Sequence, residues 1–144
     1  MHQQLKELLE KLRREAPGNV FTGAGIVVYD SLENLPIVHM GENSGVNGDD
    51  LFTTILKSSL ATNPHHDGFS LISSKFNLTH KNVYIAPPIS ETVSFDKEKG
   101  YGTRYVAALM GSKVEGIMFT AIVSNSYGIV IFKNGIALDK TSND

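Results

Sequence analysis

Residues 116–140, GIMFTAIVSNSYGIVIFKNGIALDK, decide the fold. GIMFTAIVS and GIVIFK are runs of β-branched and aromatic residues separated by the tight turn SYG, and each reads as a strand. Asn134-Gly135 is then a type I′ hairpin signal leading into IALDK. Strands joined by such short turns pair antiparallel, so the chain closes on a three-stranded meander.

Working outward, TRYVAALMGS reads as a short helix and the charged stretch SETVSFDKEKGYG before it as a loop. KNVYIAPPI contains a strand closed by Pro87-Pro88, and ATNPHHDGFSLIS is a polar turn running straight into another. GAGIVVYD, ending at Asp30, is a short β-branched run of the kind that forms a buried strand. Its Gly23 and Gly25 resemble the beginning of a dinucleotide fingerprint, but no G-x-G-x-x-G continues into a helix. Residues 3–15 place Leu5, Leu8, Leu9 and Leu12 on one helical face, and Pro17-Gly18 ends that helix. Glu42–Gly48 is a loop. Asp49-Asp50 opens a helix with Leu51, Phe52, Ile55, Leu56 and Leu60 as its apolar stripe, the acidic pair suiting the positive end of the helix dipole. Helices alternating with strands early and a meander at the end predict an α/β fold. The expectation is one domain over residues 1–144, with a mixed β-sheet flanked by helices.

Composition removes several classes of function. At 144 residues, with 41% hydrophobic and 19% charged side chains, the chain can bury a core without staples. Cysteine is absent, which excludes disulfide scaffolds, thiol catalysis and thiolate zinc sites. The net charge of −2 supplies no basic field for a long nucleic-acid footprint, though it leaves room for a local phosphate pocket. No run approaches the ~20 apolar residues that cross a bilayer, and MHQQLKELLEKLRRE lacks the apolar centre of a signal peptide. The expected location is the cytoplasm, with no membrane or nucleic-acid partner.

Two segments hold the candidate chemistry. In His65-His66-Asp67-Gly68 an imidazole and a carboxylate stand side by side at the head of a strand, where they could hold a divalent cation or deprotonate a hydroxyl. The plainer reading is a turn in which Asp67 caps its own backbone and Gly68 supplies an awkward dihedral. In Gly100-Tyr101-Gly102-Thr103-Arg104, Gly102 permits close backbone approach, Thr103 offers a hydroxyl and an amide, and Arg104 adds a forked donor for phosphate at a helix start. The plainer reading is Thr103 as N-cap with a solvated Arg104. Tyr101 and Tyr105 could stack on a base or simply pack. Together the segments contain the parts of metal-assisted nucleotidyl transfer: an anion clamp, a cation site and a base.

At this point the chain resembles the diadenylate cyclase family, the DisA N-terminal or DAC domain. The family's helix, loop ending P-x-H-D-G-A and apolar strand correspond to LFTTILKSSLATNPHHDGFSLIS, with Pro64, His66, Asp67 and Gly68 in register. L-P-L-S-E corresponds to YIAPPISE, G-T-R-H-R-A-A-L-G to GTRYVAALMG, and V-S-E-E-T-G to the end of AIVSNSYG. The resemblance implies condensation of two ATP into cyclic di-AMP with Mg²⁺ or Mn²⁺, in a homodimer or larger homo-oligomer whose two sites face each other. It assigns Asp67 to activation of the 3′-hydroxyl, His66 to the metal, and Gly68, Gly102, Thr103 and Arg104 to the nucleotide and its phosphates. Three departures touch that assignment. R-H-R stands here as Arg104-Tyr105-Val106, the acidic pair as Asn125-Ser126, and the Ala of D-G-A as Phe69. They leave two readings open: an active cyclase, or a catalytically degenerate module that binds ATP or a cyclic dinucleotide.

Overall fold

The computed structural model describes residues 1–40, 50–125 and 127–141, with the backbone alone for 139–141. The expected Glu42–Gly48 loop, Asp49 and Ser126 lie outside the described residues. The elements run α1 (His2–Glu15), β1 (Ala24–Tyr29), β2 (Ile37–His39), α2 (Leu51–Ser58), β3 (Phe69–Ser73), β4 (Leu78–Ile85), α3 (Thr103–Gly111), β5 (Ile117–Ser124), β6 (Gly128–Lys133) and β7 (Ile136–Thr141). One mixed sheet orders the strands β2-β4-β3-β1-β5-β6-β7. Among the described residues only β1 and β3 pair in parallel, Gly25 opposite Phe69 through Tyr29 opposite Ser73. The closing meander forms as expected, with positive φ at both Asn134 (51°) and Gly135 (81°) as a type I′ turn requires.

β1 is buried on both faces because helices cover the sheet on both sides, which is why its sequence shows no alternation. Leu5, Leu9 and Leu12 of α1 pack on Ile26, Ile72, Ala121 and Ile129, with Ile55 of α2 beside them. On the other face Tyr105, Ala108 and Leu109 of α3 pack on Val27, Leu71, Ile122, Val130 and Phe132. Among the described residues no helix is long and apolar enough to cross a membrane.

The differences from the sequence reading are local. α2 ends at Ser58, so Leu60 falls outside it and instead bridges Phe21. Asp50 is the N-cap of α2 rather than part of its first turn. Its carboxylate accepts from the Thr53 amide at 2.8 Å and hydroxyl at 2.9 Å, and those bonds hold its pKa below the ordinary value. β2 was not expected; at three residues it is too short to show a period, and it joins the sheet only as an edge on β4. A short 3₁₀ turn, Lys97–Lys99, interrupts the charged loop.

Phe69, bulky where the resembling family has Ala, is 4% exposed and lies on the α3 side of the core. Space for it comes from the neighbouring strand. A Cβ added to Gly25 would stand 2.7–2.9 Å from the Phe69 ring. Gly25→Ala is therefore expected to cost about 1–3 kcal/mol by overpacking. In a Phe69→Leu background the cost should fall by more than about 0.5 kcal/mol, measured by urea unfolding. Equal costs in the two backgrounds would show that the ring does not occupy that space.

Candidate functional site

At one end of the sheet the segment before β1, the turn before β3, the last residues of β4 and the first turn of α3 meet. His65-His66-Asp67-Gly68 is a turn closed by its own backbone, His66 N–H donating to Asn63 O at 3.1 Å and Gly68 N–H to His65 O at 2.9 Å. Gly68 is needed there, though not for an unusual dihedral. A Cβ at that position would lie 2.9 Å from the backbone of Asn82 and 2.5 Å from Met40 Cε.

The two segments singled out from the sequence, 32 or more residues apart by number, are joined by Arg104. Its Nη1 donates to Thr22 O at 3.0 Å and its Nη2 to His66 O at 3.3 Å. Arg104 is thus not solvated, as the plainer reading had it. Burial pulls its pKa down, while Tyr127 and Asp67 pull it up. Its Nε is buried with no partner among the described residues. Gly23, with φ 99°, makes room for the guanidinium: a Cβ there would stand 2.7 Å from both Arg104 Nη1 and Val123 O. The two glycines that hinted at a dinucleotide fingerprint are therefore spacers, one for Arg104 and one for Phe69.

Thr22, which the sequence did not mark, fixes the state of His66. The Thr22 hydroxyl has one proton and donates it to Ser59 O at 3.0 Å, a carbonyl that can only accept. The 2.9 Å contact between Thr22 Oγ1 and His66 Nδ1 therefore requires Nδ1–H to be the donor. Neutral His66 then carries its lone pair on Nε2, where a cation or a proton could be taken. No signal in the sequence points to Thr22, because its partners are 37 and 44 residues away.

At α3 the N-cap is Gly102, not Thr103, and no side chain caps the helix. Thr103 and Arg104, in its first turn where backbone amides lack intrahelical partners, line the same cleft as Asp67. Gly102, Thr103 and Asp67 are exposed, and His66 is half-buried. A Cβ on Gly102 would meet nothing within 4 Å, so the open space above it is free for a ligand. Between the two segments lies a cleft of about 140 Å³. Asp67, Gly68, Thr103 and Arg104 form its polar rim, and Met40, Phe69, Tyr84, Ile85 and Ala107 its apolar wall. That volume is below the ~300 Å³ of a site enclosing a whole drug-sized ligand, so the cleft takes one moiety and leaves the rest on the open rim.

The tyrosines pack. Tyr101 and Tyr105 stack at 3.8 Å and 5° between planes, Tyr127 stands edge-on to both, and Phe132 meets Tyr105 at 90°. Tyr105 is 5% exposed, and burial, with Tyr101 and Tyr127 beside it, pushes its pKa up to about 12. Burial also raises Tyr127, against the opposing pull of Arg104 and Ser124. Asn125 donates from Nδ2 to Phe21 O at 3.3 Å, tying the turn after β5 to the segment before β1.

Among the described residues no three His, Asp or Glu side chains gather to hold a metal ion. His66 and Asp67 offer one imidazole and one carboxylate. That set fits a divalent cation whose other ligands are water and phosphate oxygens, and would not hold one alone.

Residues 16–137 match the sequence profile of the family described as DAC, DisA bacterial checkpoint controller nucleotide-binding. The fold matches a crystal structure of a double mutant of DacA from Staphylococcus aureus, with a TM-score of 0.62 at 24% identity, over 96% of this chain and 83% of that one. It also matches a hypothetical membrane spanning protein from Bacillus cereus, with a TM-score of 0.67 at 21% identity, over 95% of this chain. This chain spans 61% of the Bacillus protein's length. No curated protein matches the sequence.

Two expectations follow from the packing. Gly23→Ala should cost more than about 2 kcal/mol, adding left-handed strain to two close contacts, whereas Gly102→Ala should cost about 1 kcal/mol or less. Urea unfolding of both variants checks this. For Tyr105, a folded pKa near 12 lies above the unfolded value of 10.0. Its contribution is full below pH ~10 and is lost as pH rises toward ~12, because the unfolded chain gives up its proton first. The melting temperature should accordingly fall over that range, and less steeply in Tyr105→Phe.

Proposed function

From the premise that this chain belongs to the DAC family, we propose that the cleft between the His66–Gly68 turn and the start of α3 binds ATP. The observation that carries the reading is Arg104, whose guanidinium holds the Asp67 turn against the uncapped helix. The apolar wall suits an adenine, with the half-exposed Tyr84 ring as a stacking face. The α3 amides, the Thr103 hydroxyl and the remaining N–H capacity of Arg104 suit the polyphosphate. A divalent cation bound there would offset phosphate charge, with His66 Nε2 and Asp67 as its protein donors.

The reaction this arrangement supports is diadenylate formation. Asp67 takes the proton of the ATP 3′-hydroxyl. The 3′-oxygen bonds to the α-phosphorus of a second ATP, the bond to the bridging oxygen breaks, and pyrophosphate leaves. Repeated in the other direction, two ATP give cyclic di-AMP and two pyrophosphates. Because each chain would hold one ATP in this cleft, the step needs two copies facing each other as a homodimer or part of a larger oligomer.

A specific observation supports the second reading, nucleotide binding without turnover. Two of Arg104's N–H groups are spent on backbone carbonyls, and Tyr105 and Val106 add no phosphate donor beside it. Loss of one transition-state donor commonly costs about 10²–10³ in rate.

Incubation with ATP and Mn²⁺ or Mg²⁺, followed by analysis of products and of bound ligand, separates the readings. Turnover predicts pyrophosphate and cyclic di-AMP, both lost in Asp67→Asn with binding retained. The sensor reading predicts saturable ATP binding alone. Under either, Arg104→Ala should weaken binding by about 1.5–3 kcal/mol. Absence of both binding and product would reject the two readings together.

A further inference from the structure

The turn bearing Asp67 is held from behind by a buried side chain that does not line the cleft. Asn82 lies in β4, 8% exposed, with a left-handed φ of 55°. Its Nδ2 donates to His65 O at 2.8 Å and to Ser58 O at 3.2 Å, joining the turn to the end of α2. Its backbone is also the surface against which Gly68 fits without a side chain. The β3–β4 register shifts between Phe69 and Leu71, at the level where Asn82 departs from extended backbone.

An amide suits this position for two reasons. Asparagine tolerates the left-handed region better than other residues with a side chain, and one NH₂ group supplies two donors to two converging carbonyls. A carboxylate would set oxygen against oxygen. The backbone carbonyls of the Asp67 turn are therefore held from both sides, His66 O by Arg104 on the cleft side and His65 O by Asn82 on the far side.

We propose that Asn82 is a positioning residue for Asp67, setting through its carboxamide the height of the His65–Gly68 turn relative to the start of α3. The proposal rests on the ATP-site reading, and its test keeps the two apart. ATP affinity is measured by calorimetry with Mg²⁺, well below each variant's melting temperature, for wild type, Asn82→Gly and Asn82→Asp. Asn82→Gly keeps the left-handed backbone and removes the amide, and should weaken ATP binding about tenfold. Asn82→Asp should weaken it at least as much at about pH 8 and recover toward wild type at about pH 5.5, where a protonated carboxyl donates again. The titratable and charged groups on the surrounding elements are His65, His66 and Asp67 on the turn, Lys57 on α2, His39 on β2, His80, Lys81 and Tyr84 on β4, and Arg104 on α3. They are common to both proteins, so the ratio of variant to wild-type affinity isolates the new carboxyl.

A ratio that does not change with pH, or wild-type affinity in Asn82→Gly, would overturn the proposal. If Asn82→Asp does not fold, Asn82→Gly decides. If wild-type protein binds no ATP, the site reading fails. The anchor is then judged from the His65 and His66 imidazole resonances of the unliganded protein, which should shift in Asn82→Gly. Unchanged resonances there would reject it.

Discussion

The site depends on one guanidinium. Arg104 reaches from the first turn of α3 to the carbonyls of Thr22 and His66, and so ties together the segment before β1, the turn before β3 and the helix α3. A half-buried cation is tolerated because those carbonyls, and the nearby Asp67 carboxylate, replace part of its hydration. The surrounding choices follow from accommodating it. Gly23 must lack a side chain, and Thr22, held against Ser59 O, presents its hydroxyl oxygen to His66 Nδ1. Losing the guanidinium would leave two carbonyls unpaired and free the turn that carries Asp67.

Packing accommodates two of the chain's departures from the resembling motifs. Where the resembling sequences place an imidazole after the first Arg, Tyr105 turns into the core and meets Phe132, Tyr101 and Tyr127. Where they place Ala after Asp-Gly, Phe69 fills the space left by Gly25. Both side chains pack on the α3 face, and Phe69 also forms part of the cleft's apolar wall. The cleft keeps its carboxylate, its helix amides and one Arg, with fewer groups free to stabilise charge developing on phosphate. In the proposed reading, ATP binding would draw on the first set and rate on the second.

Much of this was legible in the sequence. β1, the β5–β7 meander, α1 and α3 are long or sharply punctuated, so their periodicity and the Asn134-Gly135 turn were enough. The two segments of the cleft were legible as residue types, and the family resemblance supplied their expected meeting. What could not be read was how they are held. Thr22 and Arg104 are 82 positions apart, and Asn82 and His65 are 17 apart. Nothing local marks such residues, because their roles arise only when the strands are side by side. For the same reason Gly23 looked like a weak nucleotide signal when it is a spacer, and Gly68 looked like a dihedral requirement when it is a close approach.

The central claim is that ATP is held between the Asp67 turn and the start of α3. Titrating ATP with Mg²⁺ into isotopically labelled protein while following backbone amide resonances tests it most directly. The account expects saturable shifts concentrated at His66, Asp67, Gly68, Thr103, Arg104 and Tyr84, with Asn34 and Glu115, beside the hollow that Asp30 and Gly116 share, unmoved. Shifts concentrated around Asn34 and Glu115, or no saturable shift at Asp67 and Thr103, would contradict it.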